Sequence, residues 1–260
     1  MRALGLALLL WSAAAAARPA LQDVDIDEHL GQSLPAGLSF TDETGRAVQL
    51  GDYFTDGKPV VLVLAYFRCP MLCDLVLRGI ADSLQRQRLV LGRDYRALTV
   101  SIDPKDKPPE AAFKQHSLLQ AFGDLDAARS WPFLTGATTS IKPLADRLGF
   151  EYAYDPKSDQ YAHPACVFVI TPDGRIARYL YGVKFRPLDV RLALDEAARG
   201  KIGGIVDRVL LTCFRYDPAT RRYGWYVRGI LRGGAALTLL LVGGGLGLLW
   251  RREWQRRSES

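Results

Sequence analysis

Two cysteines, Cys69 and Cys73, stand four positions apart in the stretch AYFRCPMLCDLVL, from Ala65 to Leu77. Thiols so spaced can close a disulfide, clamp one soft metal ion, or sit inert in a core. Their setting narrows the choice. Lys58–Pro59 introduces VVLVLAYF, a continuous β-branched and aliphatic run of the kind that a strand buried on both faces needs. From Pro70 a helical pattern runs to about Leu89, with Leu72, Val76, Ile80 and Leu84 at 3.6-type spacing, and proline suits the first helical position. Cys69 is therefore expected where a strand ends and a helix begins. Free N–H groups and the helix dipole favour an anion there and acidify a thiol. Cys73 falls on the same helical face, one turn on. This placement disfavours inert cysteines and leaves both the disulfide and the soft metal open.

Three residues separate the pair, whereas most zinc hairpins and thiol oxidoreductases have two. A structural zinc site wants four ligands, yet Cys166 and Cys213 are single and remote, and the histidines are His29, His116 and His163. Thiolates with an imidazole favour copper, and two thiolates alone hold Cu(I). His163 is the natural third donor, because it directly precedes a strand expected beside that of Cys69. Cys166 reads as a small hydrophobe in the sheet core. Cys213 reads as packing against a membrane-proximal helix or, alternatively, as contributing a thiol from outside the main site.

The positioning elements follow from periodicity and turn chemistry. Leu38–Leu50 reads as two short strands around a turn at Glu43–Gly45, and Tyr95–Ile102 as a second buried strand. Pro108–Pro109 open a helix to about Phe122. A short strand near Trp131–Leu134 precedes a helix over Ser140–Leu148. Cys166–Thr171 and Ile176–Leu180 form a hairpin about Pro172-Asp173-Gly174, and Pro187–Arg199 is a closing helix. Strands alternating with helices, then a hairpin and a helix, define an α/β fold with a mixed central sheet.

The 260 residues carry a formal net charge of +6, but the basic residues form no long tract and nucleic acid is not indicated. MRALGLALLLWSAAAAARPA reads as a secretory signal over 1–17, cleaved near Ala17. Residues 18–35 read as a flexible, polar leader, 36–200 as the folded domain and 201–229 as a juxtamembrane extension. Gly233 to Trp250 is uncharged and would span about 27 Å as a helix at about 1.5 Å per residue. A transmembrane helix over 230–250 is therefore expected, flanked by Tyr223, Trp225, Tyr226, Trp250 and Trp254, with 251–260 as a cytoplasmic tail. Export would leave the body on the extracytoplasmic side, where a disulfide is permitted.

From Leu38 to Gly182 the chain resembles the SCO/SenC family of membrane-anchored, thioredoxin-like proteins that handle copper for respiratory oxidase assembly. CPMLC at Cys69–Cys73 matches the copper motif, SIDPKDKPPE at Ser101–Glu110 the segment after a strand, WPFLTGATTSIKPLADRLGF the middle, and HPACVFVITPDGRI the histidine and hairpin. The resemblance implies copper, Cu(I) or Cu(II), on Cys69, Cys73 and His163, with Asp103 at an acidic position near the site. It implies as partners the copper-bearing subunit of cytochrome c oxidase and a copper donor, and as location the bacterial inner membrane with the domain on the periplasmic side. The family commonly has proline where Asp74 stands and aspartate where Ala162 stands, and its single span is more usually N-terminal. Thioredoxin-like folds often carry a cis-proline before the strand facing the cysteines, which makes the His163–Pro164 bond a candidate. Two activities are expected to compete: copper delivery to the CuA site, and thiol–disulfide reduction in which Cys69 attacks and Cys73 resolves. A peroxidase fits poorly, since residues 65–68 are Ala-Tyr-Phe-Arg, without the small aliphatic hydroxyl residue three positions before Cys69 that such sites use.

Overall fold

The computed structural model describes residues 24–123 and 125–203, and beyond them residues 216–217, 222–223, 235, 238–240 and 242–246. A hairpin comes first, β1 (Ser39–Thr41) against β2 (Ala47–Gln49). Asp42 closes its turn by accepting the N–H groups of Thr44 and Arg46. Then follow β3 (Val60–Ala65), α1 (Leu72–Gln85), β4 (Arg96–Ser101), α2 (Pro108–Phe122), β5 (Phe133–Leu134) and α3 (Thr138–Arg147). A second small hairpin, β6 (Ala153–Asp155) with β7 (Gln160–Ala162), leads into β8 (Cys166–Ile170), β9 (Ile176–Tyr181) and α4 (Pro187–Ala198).

The main sheet has the order β5-β4-β3-β8-β9. β3 runs parallel to β4, from Val60 opposite Arg96 to Ala65 opposite Ser101, and antiparallel to β8, from Val60 opposite Ile170 to Val63 opposite Val167. The sheet is thus mixed, as expected. Every residue of β3 and of β8 is buried, which explains two apolar runs without alternation. Burying each such aliphatic side chain stabilises the fold by roughly 1.5–3 kcal/mol. Helix α1 packs against α2 and α4. A Cβ on Gly79 would lie 2.1 Å from the Val183 carbonyl oxygen, so only glycine lets α1 approach the segment after β9 this closely.

Three expectations are corrected. The segment 24–35 is packed rather than flexible. Ile26 and Leu34 are buried, Gly31 N–H donates to the Ile176 carbonyl at 2.8 Å, and Ile176 N–H donates to Gln32 at 3.0 Å. The segment covers the start of edge strand β9, which would otherwise present unpaired backbone groups. It also meets Gly149, where a Cβ would collide with the Asp27 carbonyl. Helix α1 begins at Leu72 rather than Pro70, because Cys69 N–H turns back onto the Tyr66 carbonyl at 3.2 Å. The His163–Pro164 bond is trans.

The signal over 1–17, leader residues 18–23, Cys213 and the tail 251–260 lie outside the described residues. Among the described residues no helix is long and apolar enough to cross a membrane. Within the expected span, positions 235, 238–240 and 242–246 are helical, and Leu239, Leu240, Val242 and Leu246 are exposed. They belong to a second unit, residues 204–260, which also contains the short pair β10 (Tyr216–Asp217) and β11 (Arg222–Tyr223).

Candidate metal centre

Parallel strands β3 and β4 end side by side, so the loops that follow them meet at one edge of the sheet. Phe67 N–H donates to Asp106 Oδ2 at 2.7 Å, and the Ser101 hydroxyl donates to the same oxygen at 2.6 Å. Arg68 reaches Asp103 at 2.5 Å and Asp106 at 3.4 Å. Asp103 also accepts from Lys105 N–H at 2.9 Å. Both carboxylates are buried, and burial holds that of Asp106 above its ordinary range although the Phe67 N–H and Ser101 hydroxyl pull it down. This network fastens the loop that carries Cys69.

Cys69 Sγ accepts the Cys73 N–H at 3.3 Å. The sulfur thus serves a free donor in the first turn of α1, the role a side-chain oxygen plays in an ordinary helix cap. The dipole argument therefore survives the shift of the helix start. Cys73 Sγ lies 3.2 Å from His163 Nε2, and His163 Nδ1 lies 3.0 Å from the Pro164 carbonyl oxygen. A carbonyl can only accept, so the ring proton sits on Nδ1 and Nε2 turns its lone pair toward the sulfurs. The donor atoms of Cys69, Cys73 and His163 all lie within 4.8 Å of one another, and the three residues are buried. No other such group occurs among the described residues.

An aromatic wall dries this pocket. The His163 ring meets Tyr66 edge-on, centroids 5.9 Å apart, and lies 5.9 Å from Phe150. Tyr161 stands 5.4 Å from Tyr66 and 5.1 Å from Tyr154. The sulfurs share their charge unequally. The hydrogen bond from the Cys73 side chain holds the Cys69 thiol far below its usual value against the opposing effect of burial, with help from the N–H groups of Cys73 and Met71. The same bond and burial push Cys73 up.

The structure gathers Cys69, Cys73 and His163 at one place and leaves the other candidates apart. His29 bonds to the Arg147 carbonyl and to Asp27, while His116 is exposed on α2. Cys166 is buried at the start of β8 with its sulfur 3.6 Å from the Val167 carbonyl. Asp74 forms an ion pair with Lys114, tying the start of α1 to α2. Sequence reasoning missed Asp106, Arg68, Tyr66 and Phe150. The signal available for the first was the spacing of Asp103 and Asp106 just past a buried strand.

A mixed sheet with two cysteines at a helix start, and a histidine facing them from the turn before an antiparallel strand, defines a thioredoxin-like protein adapted to soft ligands. The chain belongs to the SCO1/SenC family, whose sequence profile matches residues 28–191. It is 24% identical over 154 residues to the SCO1 protein homolog of Bacillus subtilis (strain 168), covering 58% of this chain and 76% of that protein. A crystal structure from Aquifex aeolicus VF5 superposes with TM-score 0.57 at 25% identity, covering 66% of this chain and 95% of that one. Two further structures share the fold. BsSco, a member of the Sco family of cytochrome c oxidase assembly proteins with a disulfide switch, has TM-score 0.53 and 20% identity over 67% of this chain and 98% of its own. Arabidopsis thaliana ScoI with copper bound has TM-score 0.51 and 18% identity over 65% and 98%.

Proposed function

We propose that this chain binds one copper ion through Cys69, Cys73 and His163 and delivers it to the CuA site of cytochrome c oxidase. The observation that carries the reading is the set of three soft donors gathered within 4.8 Å in a buried pocket. Two sulfurs and one imidazole match copper and fall one ligand short of a structural zinc site. Three donors leave the ion short of a closed tetrahedron, which suits a cargo that must be released. Asp103, by holding Arg68, steadies the loop that presents Cys69. Membership of the family and its copper-bound relative support the same cargo.

In this reading the chain is exported by the signal over 1–17 and held in the bacterial inner membrane by a helix over 230–250, with its domain on the periplasmic side. The helical positions between 235 and 246 and the exposure of Leu239, Leu240, Val242 and Leu246 support the anchor. The test is a competitive Cu(I) titration of the full, reduced chain, with Cys69, Cys73 and His163 replaced singly. Each cysteine replacement is expected to abolish tight binding. A reduced wild-type chain without tight binding would defeat the copper reading.

The charge split between the sulfurs favours a second activity, thiol–disulfide reduction. The Cys69 thiolate attacks a disulfide of an exported protein, forming a mixed disulfide and expelling one thiolate. Cys73 then loses its proton to His163 Nε2 and attacks the Cys69 sulfur. The substrate leaves as a dithiol and the chain retains the Cys69–Cys73 disulfide. His163→Ala separates the activities, because it should damage copper handling while leaving much of the disulfide exchange.

A further inference from the structure

The three donors are nearly closed to solvent, with Cys73 1%, Cys69 8% and His163 8% exposed. A cargo ion must nevertheless cross from them to the surface. Between the cysteines stands Met71, 66% exposed. The chain has two methionines, Met1 and Met71, so Met71 is the one thioether of the folded body. Its backbone is tied into the start of α1, where its carbonyl accepts the Leu75 N–H at 3.1 Å. Its φ of −151° and ψ of −62° are not helical, so the residue forms the step from the Cys69 turn into α1. Beyond that anchored backbone the side chain keeps three rotatable bonds and a polarisable sulfur.

We propose that Met71 is a displaceable outer donor for the copper cargo, a surface thioether that holds Cu(I) as it enters or leaves the Cys69–Cys73–His163 group. The inference rests on the copper reading above. A thioether is soft, so it accepts Cu(I), and it is neutral, so it binds more weakly than a thiolate and releases the ion readily. The acidic residue in the first turn of α1, Asp74, is engaged with Lys114. The exchange moves no electrons. A bond from copper to the Met71 sulfur forms while a bond to one of the inner donors breaks, and Cu(I) remains Cu(I).

The full chain, as wild type and as Met71→Leu, is loaded with Cu(I), and loss of the ion to excess bicinchoninate is followed by stopped flow. Leucine keeps the size and apolarity of the side chain, and the small chelator removes any docking effect. Met71→Leu is expected to slow exchange about tenfold, equivalent to about 1.4 kcal/mol in barrier, and to weaken equilibrium binding far less than His163→Ala does. In a selenomethionine-labelled His163→Ala chain, copper is expected among the nearest neighbours of selenium at the selenium K-edge. Wild-type exchange in Met71→Leu overturns the inference and leaves the copper reading standing. Slowed exchange without a selenium–copper neighbour also overturns it, since Met71 would then act by packing. A wild-type chain that takes up no Cu(I) defeats the copper reading and this inference together.

Discussion

Among the described residues two places bury cysteine sulfur, and they make it behave in opposite ways. At the start of β8, Cys166 lies within the sheet with its sulfur near the Val167 carbonyl, and burial, the largest influence on it, pushes its thiol up despite backbone hydrogen bonds from Leu180 and Val167. At the junction of β3 and α1, Cys69 is nearly as buried, yet its thiol is pulled down. Depth is therefore not what separates a structural cysteine from a reactive one. The difference lies in what else points inward at Cys69: a second thiol that donates to its sulfur, backed by N–H groups at the start of a helix.

The comparison breaks if the two places respond alike to the loss of sulfur. Cys73→Ser is expected to weaken Cu(I) binding by more than the 10–100-fold typical of removing an outer supporting group, measured by chelator competition. Cys166→Ala should leave Cu(I) binding unchanged and lower unfolding stability by about 1 kcal/mol in urea, the usual scale of a small truncation in a core. Comparable losses of copper from both variants would show that burial was the cause after all.

Removing the imidazole sharpens the account at intermediate size. His163→Ala should weaken Cu(I) binding on the order of tenfold, because two thiolates still hold that ion, and abolish a stable Cu(II) complex, read by its visible absorption. Beneath the loop, Asp106→Ala leaves the Phe67 N–H and Ser101 hydroxyl without their acceptor. A loss of about 1–3 kcal/mol in urea is expected, with a smaller fall in copper affinity as the Cys69 loop loosens.

Asp42 supplies the smallest test, a buried anion with hard neighbours and no metal chemistry. Burial raises its carboxyl, but the Thr44 hydroxyl and the Arg46 and Thr44 N–H groups, with the Arg46 guanidinium, more than offset this and hold it below its ordinary value of 3.8. The folded value is thus the lower one, so its contribution is present above pH 3.8 and is lost as pH falls through the folded value. Asp42→Asn should cost about 1–2 kcal/mol at neutral pH, on the scale of hydrogen bonds to a charged group. The difference from wild type should shrink in urea melts below pH 3.8.

Much of this was legible in the sequence because it rested on periodicity or on residue type at a turn. The strands β3, β4 and β8, the helices between them and the Pro172-Asp173-Gly174 hairpin all carry strong local signals. What escaped depended on distant partners. The β6–β7 hairpin has only three residues per strand, and Asp159 adopts a φ of +52° in its turn, which no local pattern of glycine announced. Residues 24–35 look polar and yet are held through backbone groups, which composition does not reveal. The roles of Asp106 and Lys114 exist only once β4 lies beside β3 and α2 beside α1. Cys69, Cys73 and His163 could be named in advance, but the hydrogen bond that orients the imidazole could not.

The antiparallel register of β3 and β8 also has a bearing on how the chain matures. The two sulfurs are neighbours in sequence, whereas the imidazole stands ninety residues beyond Cys73 and reaches them only when β8 is laid along β3. A partly folded chain therefore offers a pair of thiols, and the completed sheet offers a pocket. Acquisition of the third donor is a long-range event that needs the β3–β8 pairing, so the coordination of the ion would report in its own spectrum whether that pairing is in place.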